Sequence, residues 1–209
     1  MSERMSERDY VPAMGKHHLT PLYDLVHHLS GLRRVHLEMI KLAELRGGHR
    51  VLDVGCGTGN LLRSIEKRHP DVDLTGLDPD PKALAVAARK VRRATLDRGF
   101  AQELPYPDGS FDRVFSSLML HHLDSPVKDT LLAEVRRVLK PGGLLVLADA
   151  VAGHHHNHGP GRMRKMLHDN VGDAVSRRIA AAGYTVEPTR TIKLRIGPQI
   201  GIELAKPTS

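Results

Sequence analysis

The sequence predicts an α/β fold: a doubly wound, mostly parallel sheet of about seven strands, with N-terminal cover helices and an antiparallel C-terminal hairpin. Three observations predict it. The apolar run Val51 to Val54 breaks into glycines at alternate positions, Gly55, Gly57 and Gly59, and then into the helically spaced Leu61, Leu62 and Ile65. Strand-like and helix-like segments then alternate as far as Ala148. Near the C-terminus the apolar period becomes two, over Ile192, Leu194 and Ile196 and again over Ile200, Ile202 and Leu204, with Gly197-Pro198 as the turn.

Composition narrows the classes. A chain of 209 residues supports one sizeable core, and 40% apolar with 26% charged residues is ordinary globular usage. With 3% aromatics and no Trp, a base-stacking platform is disfavoured. Cys56 is the single cysteine, which excludes an intramolecular disulfide and a cysteine-built zinc site. No run reaches the roughly 20 apolar residues of a membrane span. The charged N-terminus lacks the apolar stretch of a signal peptide, so a cytoplasmic location is expected. The net charge of +7 is spread over pairs such as Arg33-Arg34, Arg136-Arg137 and Arg177-Arg178 among acids and apolar residues, which reads as a solvated surface.

One domain, 1–209, is expected in three parts: a helical cover over 1–48, a cofactor-binding core over 49–152, and an acceptor-side loop, helix and closing hairpin over 153–209. Residues 1–20 are polar. Leu22, Leu25, Val26 and Leu29, then Val35, Met39 and Leu42, predict two helical stretches, the second ending at Gly47-Gly48. Strands are predicted at 51–54, 72–77, 94–101, 111–118 and 144–148. Asp80-Pro81 is a helix start, with Asp as N-cap and Pro at the first helical position, and that helix runs to about Arg93. Ser125-Pro126 starts a helix with the face Leu131, Leu132, Val135, Val138 and Leu139, stopped by Lys140-Pro141-Gly142-Gly143. Residues 153–161 form a histidine-rich loop, and Leu167, Val171, Val175, Ile179 and Ala182 line a helix ending at Gly183.

A strand, a glycine loop and a helix make a site for a nucleotide-like cofactor at the carboxyl end of the first strand. Dinucleotide sites use G-x-G-x-x-G, but Asn60 stands where the last glycine belongs. The sequence reads Asp53-Val54-Gly55-Cys56-Gly57-Thr58-Gly59, with Asp78 ending the second strand. Downstream come Glu103-Leu104-Pro105-Tyr106-Pro107-Asp108-Gly109, then Leu120-His121-His122-Leu123, then Leu139-Lys140-Pro141-Gly142-Gly143. In that order these blocks resemble the class I S-adenosylmethionine-dependent methyltransferases, in the broad group that includes the ubiquinone and menaquinone C-methyltransferases. The resemblance covers roughly residues 20–205 and implies a Rossmann-like sheet with S-adenosyl-L-methionine as cofactor.

The resemblance also implies roles. Gly55, Gly57 and Gly59, with Cys56 and Thr58 between them, bring backbone close to the methionine portion of the cofactor. Asp53 holds its ammonium group, directly or through water. Asp78 accepts from the ribose hydroxyls, Pro79 stiffens the turn beside the adenine, and Ser117 is counted with the cofactor contacts. Members of the group usually carry Asp-Ala after the third strand. Here the pair is Phe100-Ala101, so adenine selection falls to backbone groups, Gln102 or Glu103. Cys56 itself is expected to fill space, and Asp112 to serve the turn before the fourth strand.

Methyl transfer needs alignment and exclusion of water, with a base only where the acceptor loses a proton. His121-His122 follows the fourth strand, and His122 is the candidate base. Ser116-Ser117-Leu118-Met119 replaces the Asn/Asp-Pro-Pro-aromatic tetrad of DNA and amide N-methylation. His154, His155, His156 and His158 are expected to shape a lid, with no metal. Tyr23-Asp24 is a weaker candidate to reach over the cofactor. The expected function is methyl transfer to a small-molecule acceptor, with a lipophilic or quinone-like acceptor as the finer expectation. A NAD-dependent oxidoreductase, a non-catalytic S-adenosylmethionine-binding module and an RNA methyltransferase are the alternatives.

Overall fold

The computed structural model describes residues 31–151, 173–195 and 198–208. Helix α1 (Leu32–Leu42) leads into β1 (Arg50–Val54), α2 (Asn60–Arg68), β2 (Asp73–Asp78), α3 (Pro81–Lys90), β3 (Thr95–Arg98) and β4 (Phe111–Ser117). A 3-10 turn at Leu120–His122 precedes α4 (Ser125–Val138), β5 (Leu139–Val151), α5 (Ala174–Ala181), β6 (Tyr184–Val186), β7 (Arg190–Lys193) and β8 (Gln199–Pro207). The strands form one eight-stranded sheet in the order β3-β2-β1-β4-β5-β8-β6, with β7 also paired to β8. Strands β1 to β5 run parallel. Strand β8 is antiparallel to β5, β6 and β7. The expected doubly wound sheet with an antiparallel closing pair is therefore present.

Alternation along β1 divides the core. Val51 faces a layer containing Val35 and Met39 of α1, Leu62 and Ile65 of α2, Phe115, Val146 and Ile202. Leu52 and Val54 face Leu131, Leu132, Val135 and Val138 of α4, with Val175 and Ile179 of α5. Each fully buried side chain of this kind contributes roughly 1.5–3 kcal/mol, and the strands, buried on both faces, need no polar side.

Local chemistry sets several ends. Asp80 caps α3 by accepting from the Lys82 N–H at 2.8 Å, with Pro81 at the first helical position, as the sequence predicts. Other ends differ. Helix α1 stops at Leu42, before Gly47-Gly48, because Glu44 adopts a left-handed φ of 47°. Strand β3 is limited to Thr95–Arg98 rather than 94–101, since the Gly99 N–H turns to the Asp78 carbonyl and residues 100–103 form a turn. Strand β5 starts at Leu139 and extends to Val151, longer than 144–148, with the register against β4 slipping across Lys140–Gly143. Three-residue β6 is an addition to the expected set, too short to show an alternation. The first leading helix, Tyr23-Asp24, the 154–158 histidines and the Leu167–Val171 part of the last helix lie outside the described residues.

Candidate functional site

The sheet order places the end of β1 between β2 and β4, so the glycine loop, Asp78 and the residues after β4 meet at one edge. The loop is tied down by its own amides. Gly55 and Cys56 both donate to the Leu77 carbonyl, at 2.8 and 3.0 Å, and Gly59 donates to the Cys56 carbonyl at 2.9 Å. The Gly57 N–H donates to Asp78 Oδ2 at 2.8 Å. These amides are engaged by protein acceptors, unlike those of a loop that cradles a pyrophosphate.

The three glycines divide the work. A Cβ on Gly57 would meet nothing within 4 Å, so this position opens onto free space. A Cβ on Gly55 would stand 2.5 Å from Met119 Cγ, and one on Gly59 3.0 Å from Ala87 Cβ of α3. Gly57 can thus approach a ligand, whereas Gly55 and Gly59 let the chain after β4 and helix α3 pack closely. Thr58 and Asn60 turn towards α3. Lys90 Nζ donates to Thr58 Oγ1 at 3.1 Å and to Asn60 Oδ1 at 3.0 Å. Asn60 therefore has a structural task where a dinucleotide loop has glycine. Cys56 is buried, its Sγ 2.9 Å from a Cβ built on Gly76, and burial followed by the charge of Asp53 pushes its thiol far up. It fills space, as expected, and only its backbone borders the loop.

Asp53 is 1% exposed, and its Oδ1 has no hydrogen-bond partner among the described residues. Burial, then the neighbouring Asp78 charge, pushes its carboxyl up to about 8. Burial also raises Asp78, against the pull of the Asp80 and Gly57 N–H groups on its two oxygens. Two buried acids with one orphaned oxygen are costly without a cation. A ligand carrying an ammonium and a ribose diol supplies the missing charge and donors, so the donor set fits S-adenosylmethionine.

The segment after β3 is held by α4. Arg137 of α4 donates to the Leu104 and Tyr106 carbonyls, at 2.9 and 2.8 Å, and to Asp108 Oδ1 at 2.8 Å. Glu134 accepts from the Leu104 N–H at 2.9 Å. Gln102 is half-buried in this segment, Glu103 is exposed, and Pro79 is half-buried at the end of β2. Asp112 accepts from the Arg50 N–H and from Lys140 Nζ, both at 2.8 Å, and belongs to the strand edge rather than to the site.

Beyond β4, Ser117 Oγ lies 3.1 Å from His36 Nε2 of α1, so this hydroxyl meets the cover helix. The two adjacent histidines part company. Burial, then His121, pushes His122 down to about 4, which leaves it neutral and weakly basic. The carboxylate goes to His121: Nδ1 lies 2.6 Å from Asp149 Oδ1, and the backbone N–H donates to Asp149 Oδ2 at 2.9 Å. Asp149 is not among the residues that the sequence motifs single out, although a lone acid ending the apolar run Leu144 to Ala148 is a signal of function. His36, Lys90 and Arg137 carried no such signal. Among the described residues no cluster is placed to hold a metal.

Comparison with known proteins bears on this geometry. A family model described as a methyltransferase domain matches residues 51–143. The chain is 35% identical over 121 residues to an uncharacterised methyltransferase of Synechocystis sp., covering 58% of this chain and 56% of that protein. It is 34% identical over 141 residues to a ubiquinone/menaquinone biosynthesis C-methyltransferase of Geobacter sp., covering 63% and 59%. The chain thus spans less than two-thirds of the length of these curated relatives. A solved S-adenosylmethionine-dependent methyltransferase from Aquifex aeolicus shares the fold, with a TM-score of 0.69, 21% identity, and coverage of 91% and 99%. The matched residues include the glycine loop with its engaged amides and both buried acids, Asp53 and Asp78. Residues 51–143 accordingly match a methyltransferase domain, and the fold around them is that of a solved S-adenosylmethionine-dependent methyltransferase.

Proposed function

We propose that this chain, as one domain, transfers a methyl group from S-adenosylmethionine to a small-molecule acceptor, with a lipophilic, quinone-like acceptor as the finer reading. The orphaned Oδ1 of buried Asp53 carries the proposal. When bound, the cofactor supplies an electrophilic methyl. Asp53 offers a carboxylate to the ammonium, Gly57 leaves room for the methionine chain, and Asp78 accepts from the ribose hydroxyls through the lone pairs its two amide donors leave. Residues 102–108, held by Arg137, flank the adenine, with Gln102 and Pro79 beside it. The quinone-like reading is supported by the relative from Geobacter sp.. A location in the cytoplasm accords with a single, buried cysteine; no helix among the described residues is long and apolar enough to cross a membrane.

Calorimetry against S-adenosylmethionine and NAD, followed by incubation of the chain with methyl-labelled cofactor and a cell extract, tests the reading. Binding of the methyl donor alone and one labelled small-molecule product are expected. Binding of NAD in its place sinks the proposal. Label on RNA instead of a small molecule revives the nucleic-acid alternative, and tight binding with no labelled product revives the non-catalytic one.

A further inference from the structure

Resting on the methyltransferase reading, we infer that His121, oriented by Asp149, is the general base for methyl transfer to an acceptor hydroxyl, so that the acceptor is a small molecule with an acidic O–H of the phenol or enol kind. The placement comes first. His121 lies in the turn just past β4, two residues after Met119, which packs on Gly55 of the cofactor loop. Asp149 comes from β5, the strand paired to β4 on the side away from β1. The pair therefore stands where an acceptor would approach a methyl group presented over the end of β1.

The contacts of Asp149 exceed what a turn cap requires. Its side chain is 2% exposed, and its oxygens already accept from the His121 and Ala150 backbone N–H groups, at 2.9 and 2.6 Å. The ring contact at 2.6 Å is additional. A carboxylate against Nδ1 keeps a proton on that nitrogen and leaves the Nε2 lone pair free to accept another. It also stabilises the imidazolium that forms when Nε2 takes a proton. The side chain keeps 19% of its surface open, so it is within reach of a bound molecule. The titratable neighbour on its own turn, His122, is neutral, with ring centroids 4.1 Å apart, and does not compete for the Asp149 carboxylate.

This arrangement selects among acceptors. A thioether or tertiary amine has no proton to lose, and a primary ammonium can shed its proton to water before binding. A hydroxyl becomes a strong nucleophile only as its proton leaves, and there a neutral imidazole at the reacting atom matters. In the balanced step the acceptor O–H bond breaks, with its proton passing to His121 Nε2. The oxygen pair forms the new O–CH3 bond, and the electrons of the broken carbon–sulfur bond stay on sulfur. The products are a methyl ether, S-adenosylhomocysteine and a proton, which His121 later gives to water.

The test uses the full chain with methyl-labelled cofactor and cell extract. His121→Asn is expected to cut product labelling by about a hundredfold or more, with S-adenosylmethionine affinity unchanged by calorimetry. Asp149→Asn, which also disturbs two backbone contacts, is read through 15N NMR of histidine-labelled protein. There the His121 resonance, identified by its loss in His121→Asn, should move from a single Nδ1–H tautomer to a mixture, an effect that mere packing would not give. Undiminished labelling by His121→Asn, or a product methylated on carbon or sulfur, overturns the inference. Failure of the wild-type chain to bind the cofactor is told apart by calorimetry, and it overturns the methyltransferase reading together with the dyad's role.

Discussion

The Gly57 N–H donates to Asp78 Oδ2 across 2.8 Å, so the glycine loop after β1 is held by the acid that ends β2. Asp78 Oδ1 in turn accepts from the Asp80 N–H at 2.9 Å, at the start of α3. One carboxylate thus joins two strand ends and a helix start, and it does so before any ligand arrives.

Asp78→Ala is therefore expected to act twice. It removes the acceptor proposed for the ribose hydroxyls, which should weaken S-adenosylmethionine binding by about tenfold to a hundredfold, since hydrogen bonds to a charged group are worth about 1.5–3 kcal/mol. It also strands two amide donors, lowering stability by about 1–3 kcal/mol. Calorimetry and denaturant unfolding measure the two effects. Unchanged affinity in a folded variant would remove Asp78 from the ribose site.

Asp53 should make the ligand-free chain less stable in alkali. Its carboxyl is raised from 3.8 to about 8, so in that range the folded chain keeps a proton that the unfolded chain has released. The stabilisation is complete below about 4 and is lost as the pH rises through about 8, by at most about 1.4 kcal/mol per pH unit. Asp78, also raised, works in the same direction. His122, lowered from 6.5 to about 4, works oppositely between those values, because there the unfolded chain binds the extra proton. Above pH 6.5 the carboxylate effect stands clear. Melting curves from pH 6.5 to 8.5 should show a falling Tm that Asp53→Asn flattens. A bound ammonium should ionise Asp53, so binding at pH 7 should release a proton, visible as a buffer-dependent calorimetric enthalpy. An enthalpy independent of buffer would count against a protonated Asp53.

Gly57→Ala and Gly59→Ala should separate binding from folding. Both residues have positive φ, 52° and 75°, where a Cβ costs about 1–2 kcal/mol. At Gly57 the new methyl meets no protein atom, so the fold should survive while cofactor affinity drops by about tenfold or more, a loss of about 1.4 kcal/mol. At Gly59 the methyl presses on Ala87 of α3, and the larger loss should be in stability. Equal effects of the two changes on both readouts would refute this division.

How much was legible beforehand follows from the range of each interaction. Strands β1, β2 and β4, the Asp80-Pro81 helix start and the hairpin of β7 and β8 were visible because apolar period and capping are local. The ends of α1, β3 and β5 were not, because Glu44 in a left-handed conformation and the register slip across Lys140–Gly143 depend on packing. Asp53 and Asp78 could be picked out as candidates from their places before the glycines and at the end of the second strand. The jobs of Thr58, Asn60 and Ser117 could not, since Lys90 and His36 reach them from distant helices.

By itself the sequence determined the donor side: three alternate glycines after a buried strand, with acids before them and at the next strand end, leave few ligands to choose from. Tertiary structure alone decided which histidine has chemistry. His121 and His122 are adjacent and identical in type, both half-buried, and only the pairing of β5 beside β4 brings Asp149 to one ring and leaves the other neutral. Side-chain basicity is a property of the surroundings, and those surroundings exist only once the sheet has formed.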